Sequence, residues 1–332
     1  MKKILEQSLS MIPQGVATHL PEATILRREI EKKGMAVLKK FGFQEVITPL
    51  FEYLDVLSLG MGPEMIERGY KFIDRSNGRF MILRPDVTPQ IARMVSMHFR
   101  GEAKPVRLCY FTNVFRHEEA HAGREREIFQ IGGETFGGVK PSDDAELIEV
   151  VTGILKALKL SRYRIVMGHA GFFKSILSRC PVDSQKEIQS AIARKEISRL
   201  EKIIEEKKIT GRSAEELLGI FSLFGGEEVF RKARKLSREK ETLAALDHLK
   251  AIFAVLKKKG LDGNLLIDLG EVRDFDYYTG PVFEIFVEGI GYEIGGGGRY
   301  DHLSAKYGYD CPARGFALDV EKLQQAIEKG SS

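Results

Sequence analysis

The sequence predicts an α+β fold in which an antiparallel sheet is flanked by helices and interrupted by a helical insertion. Short apolar runs rich in β-forming residues lie at 43–138 and again at 264–323. Between them, residues from about 178 to 260 are dense in Lys, Arg and Glu, with Leu and Ile at helical spacing. Because the strand patterns come from distant segments and not from alternating strand–helix units, α+β fits better than a βαβ repeat.

The first predicted element is a helix with one buried side, over residues 21–41. Apolar or small residues recur there every three or four positions, namely Leu26, Ile30, Gly34, Val37 and Phe41. That spacing places them on one helical face. The helix is predicted to end near Gly42. Residues 43–49 then predict a strand that leaves the core at Pro49, since proline cannot donate to a sheet ladder.

Further strands are predicted on both sides of the charged segment. Between residues 70 and 138, short apolar runs separated by Asn-Gly, Pro and Gly predict an antiparallel meander or hairpins. Strands are predicted again at 264–269 and 282–288, and glycine-rich turns then lead into the run at 295–298. Residues 315–323 predict a strand that passes into a closing helix.

Composition places the chain among soluble globular proteins. Its 332 residues suggest two domains or one large domain with an insertion, and 43% are apolar and 30% charged. No run approaches the roughly 20 apolar residues of a membrane span, and no signal peptide is evident. The net charge of +4 neither demands nor excludes nucleic acid. Three widely spaced cysteines without a C-x-x-C pair predict reduced thiols and a cytoplasmic location.

Two motifs suggest chemistry that their surroundings oppose. Residues 117–121 match H-E-x-x-H, whose zinc chemistry needs both histidines on one helical face. Strand patterns flank the motif, Gly123 follows closely and no third ligand is evident, so we expect a hairpin tip and no metal. The glycine run lacks the Lys-Ser/Thr of a Walker loop and the spacing of a dinucleotide fingerprint. We expect it to allow close approach of the backbone to a ligand or a neighbouring strand.

Several isolated polar side chains lie among the apolar strand residues. They are Arg84, Asp86, Arg116, Gln130, Glu134, Arg273, Asp276, Tyr277 and Tyr278. Buried charges are costly unless they are paired or bind a ligand. Arginines suit a carboxylate and acids suit an amine, so together they would complement an amino acid. Internal salt bridges are the alternative, and spacing alone does not decide between the two.

Four segments in order resemble the catalytic core of histidyl-tRNA synthetase, a class II aminoacyl-tRNA synthetase. Residues 41–49 resemble motif one, 107–134 resemble motif two, 273–278 resemble the histidine-recognising segment, and 296–301 with 315–317 resemble motif three and its approach. The resemblance implies a class II sheet over residues 1–325 and self-association through residues 41–49. It also implies a histidine site: Asp86 and Thr88 at the amino group, Arg116 and Gln130 at the carboxylate, Glu134 and Tyr278 at the imidazole, with Tyr277 and the adenylation arginine Arg273 nearby.

Departures from the synthetase pattern bear on function. Lys322 stands where the family has an arginine that grips ATP phosphates, and Asp319 stands where it has a glycine. Lysine lacks the planar fork that binds phosphate bidentately. The hairpin 116–130 holds three arginines and four glutamates, a net charge of −1, which suits polyphosphate poorly. Only ten residues follow Lys322, so we expect no anticodon-binding domain.

With these departures, and with Asp86 in place of the synthetase glutamate, the sequence resembles the regulatory subunits of ATP phosphoribosyltransferase. That resemblance implies a non-catalytic protein of histidine biosynthesis that assembles with a short-form catalytic subunit and confers feedback inhibition by histidine. It implies no cofactor, no tRNA and no membrane. The alternative is an enzyme that still adenylates histidine or a related amino acid without a tRNA-binding domain. Arg116 and Arg273 favour the alternative, whereas Lys322 and the acidic hairpin oppose it.

Overall fold

The computed structural model describes residues 12–117, 125–270 and 277–330, which form a mixed sheet flanked by helices. The strands in these ranges are β1 (Gln44–Glu45), β2 (Phe51–Tyr53), β3 (Lys71–Ile73), β4 (Phe80–Leu83), β5 (Val106–Phe115), β6 (Glu127–Phe136), β7 (Tyr163–His169), β8 (Phe224–Gly225), β9 (Leu265–Asp268), β10 (Pro281–Val287), β11 (Glu293–Arg299) and β12 (Ala313–Asp319). The predicted α+β class is confirmed.

The α-helices in the same ranges cover both faces of the sheet. They are α1 (Pro21–Lys40), α2 (Leu54–Leu57), α3 (Pro63–Glu67), α4 (Thr88–His98), α5 (Pro141–Ala157), α6 (Ala170–Leu177), α7 (Gln185–Ala193), α8 (Ile197–Glu206), α9 (Arg212–Gly219), α10 (Glu228–Leu236), α11 (Lys240–Lys258) and α12 (Val320–Gly330). None of them combines the length and the hydrophobicity needed to cross a bilayer.

The main sheet has nine strands in the order β1-β5-β6-β12-β11-β10-β7-β9-β8. The six central strands β5, β6, β12, β11, β10 and β7 pair antiparallel with one another in that order. At the two ends of this group, β1 pairs parallel with β5, and β9 pairs parallel with β7. A separate small sheet has the order β2-β4-β3. The central strands therefore come from both halves of the chain.

The sheet separates two apolar cores. Alternate residues of β5 show this, since Cys109 belongs to the larger core and Leu108 and Tyr110 belong to the smaller one. Helices α1, α5, α6 and α11 cover the larger core, and α4 covers the smaller core together with Tyr278 and Tyr300, which lie next to β10 and β11. Opposite faces of one strand thus serve different cores, as the two-residue period of a strand requires.

One local prediction needs correction. The apolar runs between residues 70 and 138 do form hairpins, but α4 interrupts them. Pro89 lies in its first turn, and Val87, Ile91 and Val95 repeat every four residues on a buried face. The glycine run was expected to allow close approach of a neighbouring strand, and it does so as the middle of β11, paired with β10 and β12. A Cβ at Gly297 would collide with the backbone of Gly315, so glycine lets these strands approach closely.

The charged segment 178–260 is mostly helical, as predicted, and comprises α7 to α11. It also contributes β8, which pairs with β9 at one edge of the main sheet. Its buried residues Leu200, Leu217 and Val229 belong to the larger core. The segment therefore packs as part of the described body of the protein.

Candidate functional site

A cavity of about 150 Å³ opens beside the smaller core, where α4, β6, β11 and β12 meet. Six of the predicted site residues line it, namely Asp86, Thr88, Arg116, Gln130, Tyr277 and Tyr278. Glu134 lies directly behind this lining, bonded to Thr88. Arg273 lies outside the described residues. The cavity is smaller than the roughly 300–1,000 Å³ of a drug-sized ligand and suits a molecule such as an amino acid.

Asp86 is a buried carboxylate held in a fixed orientation at the start of α4. One of its oxygens accepts the backbone N–H of Thr88 at 3.1 Å, and the other accepts the hydroxyl of Tyr277 at 2.9 Å. An anion at a helix N-terminus is favoured by the helix dipole. The carboxylate lines the cavity and suits a ligand ammonium group.

Glu134 is the most buried acid near the cavity, with 1% of its surface exposed. The Thr88 hydroxyl donates to one carboxyl oxygen at 2.7 Å, and the Tyr300 hydroxyl donates to the other. Burial, with a smaller contribution from the charge of Asp86, raises the pKa of Glu134 to about 8 against the opposing effect of the two hydroxyl donors. At neutral pH Glu134 is therefore mostly a neutral acid that can both donate and accept a hydrogen bond.

Three tyrosines form an aromatic wall. The ring centroids of Tyr277 and Tyr278 lie 5.0 Å apart, and those of Tyr277 and Tyr300 lie 5.6 Å apart. Burial raises the pKa of Tyr277 and of Tyr300 well above the ordinary value, so both stay neutral donors. Such a wall suits a flat ring.

Sequence reasoning missed Tyr300 as a site residue. The available signal was its place directly after the glycine strand β11, beside Arg299. Its contact with Glu134 spans 166 residues of sequence.

The glycines of the site make room for acids and backbone. Gly295, Gly296 and Gly315 line the cavity. A Cβ on Gly315 would overlap the carboxyl group of Glu134. The expectation of close backbone approach is thus met both at the neighbouring strand and at the cavity.

Two basic side chains that already have partners, Arg116 and Lys322, also line the cavity. Nε of Arg116 donates to the carbonyl of Pro85 at 2.7 Å. Nζ of Lys322 donates to the carbonyl and the carboxylate of Glu293, at 2.8 and 3.0 Å. The Asp319 carboxylate lies 4.0 Å from the same ammonium group, and burial raises the pKa of Asp319. Lys322 is therefore partly neutralised where it lines the cavity.

Arg84 does not line the cavity, although its pattern predicted a ligand contact or a salt bridge. It is 3% exposed, and it donates to the backbone carbonyls of Asn113, Thr48 and Pro49. Neutral carbonyls, and not a carboxylate, satisfy this buried cation. Its role is to tie three chain segments together beneath the site.

No group of three or more His, Cys, Asp or Glu side chains could hold a metal ion within the described residues. Four of the five residues of the H-E-x-x-H motif, residues 118–121, lie outside the described ranges, and so does the hairpin tip expected there.

The comparisons with known proteins agree with this geometry. The family model for histidyl-tRNA synthetase matches residues 15–323. ATP phosphoribosyltransferase regulatory subunits are 38% identical over 320 residues in Geobacter metallireducens and 37% identical over 320 residues in Thermoanaerobacter sp. strain X514. These alignments cover 96% of this chain in both cases, and 74% and 83% of the respective relatives.

Solved structures show the same fold. A Bacillus halodurans structure described as an ATP phosphoribosyltransferase regulatory subunit/histidyl-tRNA synthetase superposes with a TM-score of 0.88 at 26% identity, over 96% of this chain and 83% of that one. A histidyl-tRNA synthetase from Nostoc sp. PCC 7120 has a TM-score of 0.80 at 21% identity, over 98% of this chain and 77% of that one. The chain belongs to the family of ATP phosphoribosyltransferase regulatory subunits, which share the histidyl-tRNA synthetase fold.

Proposed function

We propose that this chain binds histidine in the cavity and regulates a short-form catalytic subunit of ATP phosphoribosyltransferase, conferring feedback inhibition by histidine. The observation that carries the proposal is an amino-acid-sized cavity lined by the carboxylate of Asp86, the guanidinium group of Arg116, the amide of Gln130 and the rings of Tyr277 and Tyr278. The names of the relatives support the partner.

The polar groups of the cavity fit the three parts of histidine. Asp86 would accept the ammonium group, and Arg116 with Gln130 would donate to the carboxylate. The neutral acid Glu134 and the hydroxyl of Tyr300 would satisfy the imidazole nitrogens, which need one donor and one acceptor. The tyrosine wall would stack on the ring.

The phosphate end of a synthetase site is poorly suited to ATP here. Lys322 offers a point charge that Glu293 already engages, and Asp319 adds a carboxylate nearby. Polyphosphate would have to approach these acids. This supports regulation over adenylation.

Regulation requires that histidine bind one state of the complex better than another.

We propose that the chain also self-associates through residues 41–49 and the strand that follows them. Ile47 is 92% exposed, and Leu50 and Phe51 are exposed beside it. We further propose that segment 178–260 is an insertion into a synthetase-like core spanning residues 1–325.

The test combines calorimetry with partner activity. Histidine should bind the purified chain, and Thr88→Val should weaken binding about tenfold because Glu134 loses a donor. The catalytic subunit should co-purify with the chain and respond to histidine only in the complex. Unchanged catalytic activity and inhibition without this chain would refute the regulatory role. Histidine-dependent exchange of labelled pyrophosphate into ATP would instead support the adenylating alternative.

A further inference from the structure

A series of polar side chains links α11 and α5 to the end of β11, next to the cavity residue Tyr300. Nε2 of His169 lies 3.4 Å from Nδ1 of His248 on α11, and Nε2 of His248 lies 3.1 Å from Oδ2 of Asp144 on α5. The other oxygen of Asp144 accepts Nε of Arg299 at 3.0 Å, and Nη2 of the same guanidinium group lies 2.7 Å from it as an ion pair. Arg299 is 4% exposed and Asp144 is 5% exposed. These four residues, termed the His–Asp–Arg chain below, connect α11 to the end of β11.

The proton positions along this chain are fixed by one backbone contact. The N–H of Gly171 donates to Nδ1 of His169 at 3.1 Å. A backbone N–H can only donate, so the proton of neutral His169 is on Nε2 and points at His248. The second ring must then accept on Nδ1 and carry its own proton on Nε2, facing Asp144. Burial and the neighbouring His248 lower the pKa of His169 to about 3, in agreement with a neutral ring.

The pair of imidazoles is not arranged as a metal site. Two nitrogens 3.4 Å apart match two ligands of one tetrahedral zinc ion in distance alone. A metal on Nε2 would force the proton of His169 onto Nδ1, against the N–H of Gly171. A proton between the rings satisfies both imidazoles and the N–H of Gly171, whereas a metal ion there would leave that N–H without its acceptor.

The other end of the His–Asp–Arg chain reaches residues that form the cavity wall. Tyr300 follows Arg299 directly in sequence, and the backbone carbonyl of Arg299 accepts the N–H of Thr279 at 2.8 Å. Thr279 in turn follows Tyr278, another residue of the wall. A Cβ on Gly280 would lie 2.8 Å from Cδ of Arg299, so this loop packs tightly on the arginine side chain.

Helix α6 contacts the same loop. The N–H of Ala170 donates to the carbonyl of Gly280 at 2.9 Å, and Nζ of Lys174 donates to the carbonyl of Tyr278 at 2.7 Å. A groove between α6 and α11 exposes His248 and Lys174 to the surface. The loop 277–280 is therefore held by α6 directly and by α11 through Arg299.

We propose that the His–Asp–Arg chain couples α11, in the charged helical segment, to the amino-acid cavity, with His248 as a positioning residue that acts through Arg299. A displacement of α11 would break the contact of His248 with Asp144 and so loosen one anchor of the Arg299 guanidinium group, which also donates to Asp301 and to the carbonyl of Gly138. The weaker anchoring of Arg299 would be felt by Tyr300 and by the loop carrying Tyr278. The predicted effect on histidine affinity rests on the proposed histidine site, whereas the coupling between α11 and the loop 277–280 does not depend on any ligand.

The test uses His248→Leu, which keeps the bulk but removes both nitrogens, and Lys250→Leu on the exposed side of the same helix as the matched control. In the His248→Leu variant, amide hydrogen exchange at Ala170 and Thr279 should be at least tenfold faster and histidine should bind about tenfold more weakly. His248→Gln, which can still donate towards Asp144, should recover part of both effects. In the wild-type chain, ¹⁵N NMR should show both imidazoles protonated on Nε2.

Each outcome decides one claim. If wild-type protein fails to bind histidine, the proposed function fails, while exchange at Ala170 and Thr279 still reports the coupling. If His248→Leu leaves both the exchange and the affinity at wild-type values, the coupling is refuted. A proton on Nδ1 of His169, or one zinc ion bound per chain at these rings, would overturn it as well. A His248→Leu chain that does not fold leaves the decision to His248→Gln and to the NMR measurement.

Discussion

Glu134→Gln should remove a pH dependence of stability that the native protein carries. The pKa of Glu134 rises from 4.5 in the unfolded chain to about 8 in the folded protein. Between these values the folded protein holds a proton that the unfolded chain has released. The free energy of unfolding then falls by about 1.4 kcal/mol for each pH unit, and this loss is complete above about pH 8. Glutamine cannot ionise and is nearly the same size, so the variant lacks this contribution.

The magnitude is large enough to measure by urea denaturation. From pH 5.5 to pH 8, wild-type protein should lose about 3 kcal/mol relative to Glu134→Gln. Glu64→Gln is the matched control, because the Glu64 side chain is 67% exposed and its variant should follow the wild type at every pH. If the difference in the free energy of unfolding between wild type and Glu134→Gln stays constant from pH 5.5 to pH 8, Glu134 is ionised at neutral pH. The assignment of a neutral acid behind the cavity lining would then be wrong.

Three further substitutions test the packing of the site and of the surface. Gly315→Ala should weaken histidine binding at least tenfold in calorimetry, because the new Cβ displaces Glu134, whereas Gly263→Ala, which meets open space, should bind normally. Arg84→Lys should destabilise the fold by about 2–4 kcal/mol in urea denaturation, since one ammonium cannot replace a fork that reaches three backbone carbonyls; a change below about 0.5 kcal/mol would contradict its structural role. Ile47→Asp should halve the mass measured by light scattering, and an unchanged mass would remove residues 41–49 as the contact.

Part of the site was predictable from residue type, and part only from the resemblance to the synthetase family. Asp86 stood out as an isolated charge among strand residues, whereas Thr88 was expected from the resemblance alone, and both line the cavity. The same reasoning misjudged Arg84, whose neighbour Asp86 does face the cavity. Residues two apart in a short turn can point in different directions, and only the position of β5 showed that Arg84 meets backbone carbonyls there.

By itself the sequence predicted the α+β class, the helical character of segment 178–260 and the buried charged side chains around the cavity. These follow from periodicity and from the cost of burying charge, which are properties of local stretches. Only the tertiary structure decided the protonation of Glu134, the part played by Tyr300 and the engagement of Lys322 by Glu293. Each depends on burial or on contacts between residues far apart in sequence, such as the 166 positions that separate Glu134 from Tyr300. A group's pKa and its partners are set by what the fold packs around it.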